Sequence, residues 1–448
     1  MNYVTVEQCV NRHAILTPSK PAVVFEGRSI SYAELWAEVC RKKRELEAEG
    51  LHRGALNIFK APQTPEFLYI YLATHLIGAV AVPLERNCPD EKIRRIKQDY
   101  GDIVLPSNDD DLDNIADVLF TTGSTGKQKG VMESYTAIIA DYNNLIDRQG
   151  FCPDTVFIIC GPLNHIGSLS KIWPVLSLGG TLIILDGMKD MNAFVRAFEY
   201  PSNKLATFMV PASIRIMLQF GEEQIKKLSE KIDFIETGGA AISQTDMDAL
   251  CAILPDSRLY NTYASTETGI VCSYDYNHNP CVAGCTGQAM INSSVFITKE
   301  GTIACKGKTL MSGYLGDEKL TASIFHDDTM FTNDLGEIDD QGCLHVKGRN
   351  NDVINIGGYK LSPLEVEDIA ISFPGITDCL CFLTHSPIFG DTVKLIYVAK
   401  DGVRISKKDL ARYIASRTEA YKVPHVFEQV DSIKHTYNGK LDRKYYSR

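Results

Sequence analysis

The sequence predicts an α/β protein: a large N-terminal domain of layered α/β sheets with a small β subdomain, then a small α+β C-terminal domain. Three observations carry that prediction. Apolar, β-branched runs at 118–122, 155–160, 181–185, 206–211, 233–237 and 258–263 alternate with helix-like stretches such as 190–199, 212–220 and 244–253. That rhythm belongs to layered sheets with mostly parallel strands. From about 281 to 347 it gives way to short strands and Gly-rich turns, as in a small β unit. Then Gly348-Arg349-Asn350-Asn351-Asp352 forms a polar, hinge-like stretch before a last segment with helix and strand signals of its own. At 448 residues the chain exceeds one usual domain. The division falls at domains 1–348 and 349–448.

Local signals place the elements. Ser31 and Glu34 make a capping box for a helix that stops at Gly50. Phe67 to Leu84 is the most apolar window, but His75, Gly78 and Pro83 interrupt it. It reads as a buried helix followed by a strand rather than a membrane span. Pro89-Asp90-Glu91 starts another short helix. Ser362-Pro363-Leu364-Glu365 reads as a capping box with Pro at the first helical position, and Ser406 to Asp409 caps a further helix.

Composition narrows the function classes. The chain is 44% apolar and 23% charged, as in a soluble globular protein. A net charge of −10 argues against a general nucleic-acid binder. Met1 to Thr17 has no basic region followed by an apolar core, so no signal peptide is expected. Thirteen cysteines without metal-ligand spacing are expected to be reduced, mostly buried thiols, as in a cytoplasmic protein.

Ligands of open α/β sheets sit at the carboxyl ends of strands. The polar motifs Thr121–Gly130, Gly161–Ser168, Thr237–Ala241 and Tyr263–Gly269 fall there. In the first, an apolar run feeds Thr121-Thr122-Gly123-Ser124-Thr125-Gly126-Lys127-Gln128-Lys129-Gly130. Glycines let the backbone approach a ligand, hydroxyls and free N–H groups can wrap an anion, and Lys127 and Lys129 supply charge. It is not a Walker A loop, since Gln128 follows Lys127 and the glycine spacing is wrong. An ordinary Gly/Ser-rich turn has the same composition.

Three further stretches accompany it: Asn261-Thr262-Tyr263-Ala264-Ser265-Thr266-Glu267, Thr332-Asn333-Asp334 followed by Gly348-Arg349, and Asn438-Gly439-Lys440. Their order and spacing resemble the adenylate-forming superfamily, which includes acyl- and aryl-CoA synthetases, firefly luciferase and the adenylation domains of peptide synthetases. The resemblance covers nearly the whole chain. It implies a ligase that joins a carboxylic acid to the α-phosphate of ATP with Mg²⁺, expels pyrophosphate, and passes the acyl group to a thiol. Fixed cations and N–H donors are the main resource for such a step.

The resemblance also implies roles. Lys440, otherwise a surface lysine, bridges carboxylate and α-phosphate. Glu267, otherwise a helix-end acid, holds Mg²⁺, with Thr266 on the phosphate. A single carboxylate plus phosphate oxygens and waters suits that ion. Thr121, Thr122, Gly123, Ser124, Thr125, Gly126 and Lys129 cradle phosphate. Gly238, Gly239 and Ala240 form the platform for adenosine and one acyl wall, with Asn261, Thr262 and Tyr263 lining the nucleotide. Asp334 accepts from the ribose hydroxyls and Arg349 adds a ribose or phosphate contact. His165, by default a packed or capping histidine, gates the reacting carboxylate. The C-terminal domain is mobile and turns about Asn351. That turn withdraws Lys440 and brings Gly357 and Gly358 to a phosphopantetheine arm.

The sequence departs from the family pattern at Gln128 for Pro, at Ala264 for Gly, and at Asn333 for Gly. Ala264 requires a negative φ, and Asn333 is suited to a left-handed turn. Amino-acid-activating members carry an Asp near the position of His165. Gly161 to Ser168 holds no acid, so a fatty, aryl or other plain carboxylic acid is expected. Gly238 to Ile242 also resembles short succinylbenzoate-CoA ligases. With no carrier domain before Arg448, coenzyme A is the expected thiol. A stand-alone enzyme loading the phosphopantetheine of an acyl carrier protein is the alternative, and a non-catalytic adenylate-binding relative is the reading from another class.

Overall fold

The alternating runs build the largest sheet. Its eight strands lie in the order Gly269–Asp275, Arg258–Ser265, Ile232–Gly238, Leu205–Met209, Val156–Ile159, Thr181–Ile184, Pro21–Phe25, Arg28–Ser31. The six inner strands run parallel and the two edges antiparallel. This computed structural model describes residues 4–108, 111–122, 128–188, 190–356, 359–386, 390–436 and 440–446. Side chains alternate between the two sheet faces. Phe234 and Ala206 pack under the helices Tyr135–Gln149 and Ile166–Leu178 through Leu145, Leu169 and Trp173. Ile235 and Ile158 pack under Pro211–Phe220 and Gln244–Ile253 through Ile214, Met217 and Met247.

The first run of the sequence rhythm does not join this sheet. Ile115–Thr122 folds back on Gln128–Ser134 as an antiparallel hairpin and pairs with Val80–Leu84. It belongs to a five-stranded sheet completed by Leu56–Lys60 and Gly313–Tyr314. Periodicity marks a buried strand but says nothing of which sheet accepts it. Residues 285–349 form a six-stranded antiparallel sheet, from which Gly313–Tyr314 departs to pair with the hairpin. Near the C-terminus, Pro363–Ile371 and Lys407–Ala415 share a core with the sheet of Ile376–Ser386, Gly390–Ala399 and Val426–Gln429 through Val366, Leu395 and Leu410.

The Ser31 capping box forms and opens the helix Tyr32–Ala48. The one at Ser362 does not. Ser362 Oγ instead donates to the Lys347 carbonyl at 2.9 Å, and Glu365 takes Lys422 at 2.6 Å. Pro363 still opens the helix. Nor is Asn333 left-handed: it lies inside the strand Thr329–Ile338. Among the described residues only Glu26 and Asp327 are non-glycines with positive φ, so Ala264 also needs no glycine. All thirteen cysteines are free thiols. Among the described residues no helix is long and apolar enough to cross a membrane.

A buried polar network ties Asp117 of the five-stranded sheet to the helices Glu66–Ile77 and Ile166–Leu178. The Tyr71 hydroxyl donates to Asp117 Oδ2 at 2.7 Å, Trp173 Nε1 donates to Tyr71 at 3.0 Å, and His75 Nε2 donates to Asp117 Oδ1 at 2.9 Å. Burial alone would push the His75 imidazole down, but Asp117 and Glu7 lift it to about 9. Burial pushes Asp141 up to about 8, against the Ile270 N–H that it accepts at 2.8 Å. Both folded values exceed the unfolded ones, so each group stabilises the fold at low pH and loses that contribution as pH rises. The expected result is a melting temperature that falls from about pH 4, where Asp141 begins to ionise in the unfolded chain, to about pH 9, where His75 has lost its proton. Asp141→Asn should flatten that slope; an unchanged slope in thermal melts would refute the assignment.

Candidate active site

The hairpin, the loop after Ser265 and the strand at Gly313 meet at one point. Lys129 Nζ lies 5.1 Å from the Tyr314 ring centroid, and the Tyr314 hydroxyl donates to Glu267 Oε1 at 3.2 Å. Burial, then the Glu267 charge, raises the Tyr314 phenol above its ordinary range, so it stays a donor. Thr121 and Thr266 are half-buried beside these groups in chain order. Gly123, Ser124, Thr125, Gly126 and the side chain of Thr122 lie outside the described residues.

A second cluster comes from the β unit. Asp334 and Arg349 face each other across antiparallel strands. Arg349 Nε sits 3.3 Å from Asp334 Oδ1, and the Tyr263 hydroxyl donates to Asp334 Oδ2 at 2.9 Å. Tyr263 thereby fixes the carboxylate, and its own phenol is raised by burial first and Asp334 second.

Lys440 arrives from the far end of the chain. Its backbone is pinned to Thr436, whose N–H donates to the Lys440 carbonyl at 2.7 Å and whose Oγ1 accepts from Lys440 N at 3.2 Å. Three residues on, Arg443 grips Glu367 with two bonds of 2.8 and 2.5 Å. The lysine stem lies along Gly239. A Cβ built on that glycine would stand 3.3 Å from Lys440 Cε and 3.7 Å from Nζ, and its φ of +76° suits glycine. Burial, then the Arg349 charge, lowers the Lys440 amine, while Asp334 and Glu267 oppose that shift. Those groups therefore lie within electrostatic reach of one ammonium.

His165 caps the helix Ile166–Leu178: its Nδ1 accepts from the Gly167 N–H at 3.2 Å. The neutral ring then carries its hydrogen on Nε2. Burial, then the charge of Lys440, pushes the imidazole down to about 3. In an NMR titration of the ring protons, His165 is expected to stay neutral from pH 8 to pH 5. A resonance that titrates near pH 6.5 and vanishes in His165→Gln would contradict this.

Not every expected residue points here. Asn261 Nδ2 donates to the Cys285 carbonyl at 2.7 Å, and Thr262 Oγ1 bonds Ser273 Oγ at 2.9 Å. Their side chains hold the strand in place, between the two neighbouring strands with which both residues pair. Gly238 is buried, and Gly239 and Ala240 are exposed at the end of its strand. Asn351 lies in the short turn Asn350–Asp352, its side chain outside the described residues, as are Gly357 and Gly358.

Several groups escaped the sequence reading. Tyr314 was invisible because its partner Glu267 lies 47 residues away. Glu133, on the hairpin, is buried with neither oxygen hydrogen-bonded among the described residues. Burial and nearby Asp117 raise its carboxyl far above the ordinary range. Lys171 and Glu236 form a fully buried ion pair; a charge interrupting two apolar runs was the available signal. Arg215, held by Asp246 at 2.9 Å, reaches Asp378 at 3.5 Å and ties the large sheet's helices to the C-terminal sheet.

The AMP-binding enzyme family model matches residues 10–105 and 97–315, and the AMP-binding enzyme C-terminal domain model matches residues 365–440. The chain belongs to the AMP-binding enzyme family. It is 31% identical over 342 residues to a 2-succinylbenzoate–CoA ligase of Staphylococcus aureus, which covers 74% of this chain and 66% of that relative. A 2-succinylbenzoate–CoA ligase of Staphylococcus epidermidis is 29% identical over 343 residues, covering 74% of this chain and 69% of the relative. The chain thus spans about two thirds of the length of these curated relatives. Its fold matches ATP-bound MatB from Rhodopseudomonas palustris with a TM-score of 0.87 at 24% identity, covering 99% of this chain and 98% of that one. It also matches the o-succinylbenzoate CoA synthetase MenE of Bacillus subtilis bound to its acyl-adenylate intermediate, with a TM-score of 0.84 at 21% identity and 98% of both chains covered.

Proposed function

We propose that this AMP-binding enzyme is an AMP-forming acid–thiol ligase acting on a carboxylic acid that is not an α-amino acid, with coenzyme A as the thiol. The observation that carries the reading is the convergence of Lys440 with Asp334, Arg349, Glu267, Gly239 and His165. A carboxylate and a triphosphate repel each other. An ammonium held between them, with its stem fixed on a glycine platform, offsets that repulsion where charge develops. Acid-activating relatives of similar sequence support the same reading.

In the first step a carboxylate oxygen attacks the α-phosphorus and the bond to the β-phosphate oxygen breaks, releasing pyrophosphate. Lys440 holds both oxygens, and neutral His165 offers Nε2–H to the carboxylate. Asp334, fixed by Tyr263 and Arg349, takes the ribose hydroxyls. Glu267 fits Mg²⁺: Tyr314 donates to Oε1, and the carboxylate's other oxygen would hold the ion. The ion would neutralise phosphate charge there. In the second step the thiol sulfur attacks the acyl carbon, its proton passes to solvent, and AMP leaves. We place the two domains at 1–348 and 349–448, with Asn351 as hinge. The separate core around Val366, Leu395 and Leu410 supports that division. The test is carboxylate-dependent exchange of pyrophosphate into ATP over a panel of acids. Exchange that needs an acid supports the ligase, and no exchange with any acid refutes it.

A further inference from the structure

One feature near the site plays no part in that chemistry. Lys171, on the helix capped by His165, and Glu236, on the strand ending at Gly238, are both completely buried. Lys171 Nζ donates to Glu236 Oε1 at 2.9 Å. Oε2 is equally near at 2.9 Å but poorly angled, and it accepts no hydrogen bond. Lys171 makes no other hydrogen bond among the described residues. Hydrogen-bonding capacity is left on both sides of the pair. Asp141, a further acid in electrostatic reach of Lys171, is already engaged by the Ile270 N–H.

Such a pair is a poor source of stability, because desolvation offsets the attraction and apolar residues of the same volume do as well or better. Its position suggests what it is for. Glu236 is one same-face step below Gly238, roughly 6.6 Å at strand rise. Lys171 is six residues below His165, roughly 9 Å at helical rise. From Gly238 and His165, where the acid's carboxylate is proposed to sit, the pair therefore lies deeper by about the span of one substituted aromatic ring. Phe208 marks the route. It stands directly opposite Glu236 on the neighbouring strand. A Cβ on Gly167 would meet its ring at 2.6 Å and one on Gly238 at 3.6 Å, while Lys171 Nζ lies 5.4 Å from the ring centroid. Phe208 is half-buried where the pair is sealed, so the ring faces the site and covers the pair, and an acid that reaches the pair displaces it.

We infer that Lys171 and Glu236 read the far end of the activated acid, and that this end carries a neutral group able both to accept and to donate a hydrogen bond, a hydroxyl above all. The hydroxyl oxygen accepts from Lys171 Nζ and its hydrogen goes to Glu236 Oε2, while the body of the acid lies along Phe208. A second carboxylate meets Glu236 and an ammonium meets Lys171, so both are rejected. The inference rests on the acid-activating reading and sharpens its substrate class.

The test compares benzoate, 4-hydroxybenzoate, terephthalate and 4-(aminomethyl)benzoate, and hexanoate with its 6-hydroxy, 6-carboxy and 6-amino analogues. Pyrophosphate exchange gives kcat/KM for each, and the thermal shift with acid plus AMP gives binding without turnover. The wild type is expected to favour the hydroxyl member of a series over its parent by at least about tenfold, with charged ends lowest. The double variant K171M/E236L removes both charges, is expected to fold, and should lose that preference in favour of the parent acid. A ratio unchanged in the double variant, or a preference for a charged end, overturns the inference. If no acid supports exchange but the thermal shift keeps the hydroxyl preference and the double variant loses it, the inference stands and the ligase reading fails. Strong exchange without hydroxyl preference leaves the ligase and removes the inference. Neither exchange nor a shift with any acid overturns both.

Discussion

Lys440→Ala is expected to cut pyrophosphate exchange by about 10³-fold, roughly 4 kcal/mol of transition-state stabilisation. Thioester formation from supplied acyl-adenylate should stay within about threefold of wild type, because the thiol step is proposed to proceed with this lysine withdrawn. The asymmetry follows from the geometry. The amine sits against Gly239 in the field of Arg349, Asp334 and Glu267, where removing a charge acts on the step that brings two anions together. Loss of both half-reactions in parallel would mean the substitution had damaged the domain. Unaffected exchange would remove the lysine from the chemistry. Rapid-quench measurement of the two half-reactions separates these results.

Arg443→Ala is expected to unfold the C-terminal unit most readily. Its guanidinium holds Glu367 with two bonds, and the side chains are 21% and 7% exposed. Glu367 Oε1 also accepts from Cys381 N at 2.7 Å. Removing one partner of a buried pair leaves the other uncompensated, at a cost of about 2–4 kcal/mol here because Arg443 keeps some solvent. The segment bearing Lys440 is anchored by the same contact, so adenylation should fall with it. Thermal melts should show an early transition near the C-terminal unit while residues of the large sheet hold. A single transition at the wild-type temperature would show that the pair contributes little.

Much of the architecture was legible because it rests on local chemistry. The box at Ser31 formed as read, since Ser31 and Glu34 have nothing better to bond. The same pattern at Ser362 failed because a distant carbonyl, that of Lys347, competes for the hydroxyl. Ile115–Thr122 read correctly as a strand but entered the smaller sheet, because its partner Gln128–Ser134 follows immediately and an antiparallel hairpin costs little loop entropy. Residue types at the site could be read from ordered motifs. Their supports could not. Tyr314 under Glu267 and Lys171 against Glu236 are long-range contacts between elements, 47 and 65 residues apart. The approach of Lys440 depends on the docking of the C-terminal unit, to which Arg215 and Asp378 contribute across 163 residues.

The central claim is that the acid's own oxygen becomes bonded to the α-phosphorus. An acid that supports exchange, labelled with ¹⁸O in its carboxyl group, should be turned over with ATP and coenzyme A and the products weighed by mass spectrometry. The expected result is AMP carrying one ¹⁸O and pyrophosphate carrying none. Label in inorganic phosphate, or AMP without label, would contradict it.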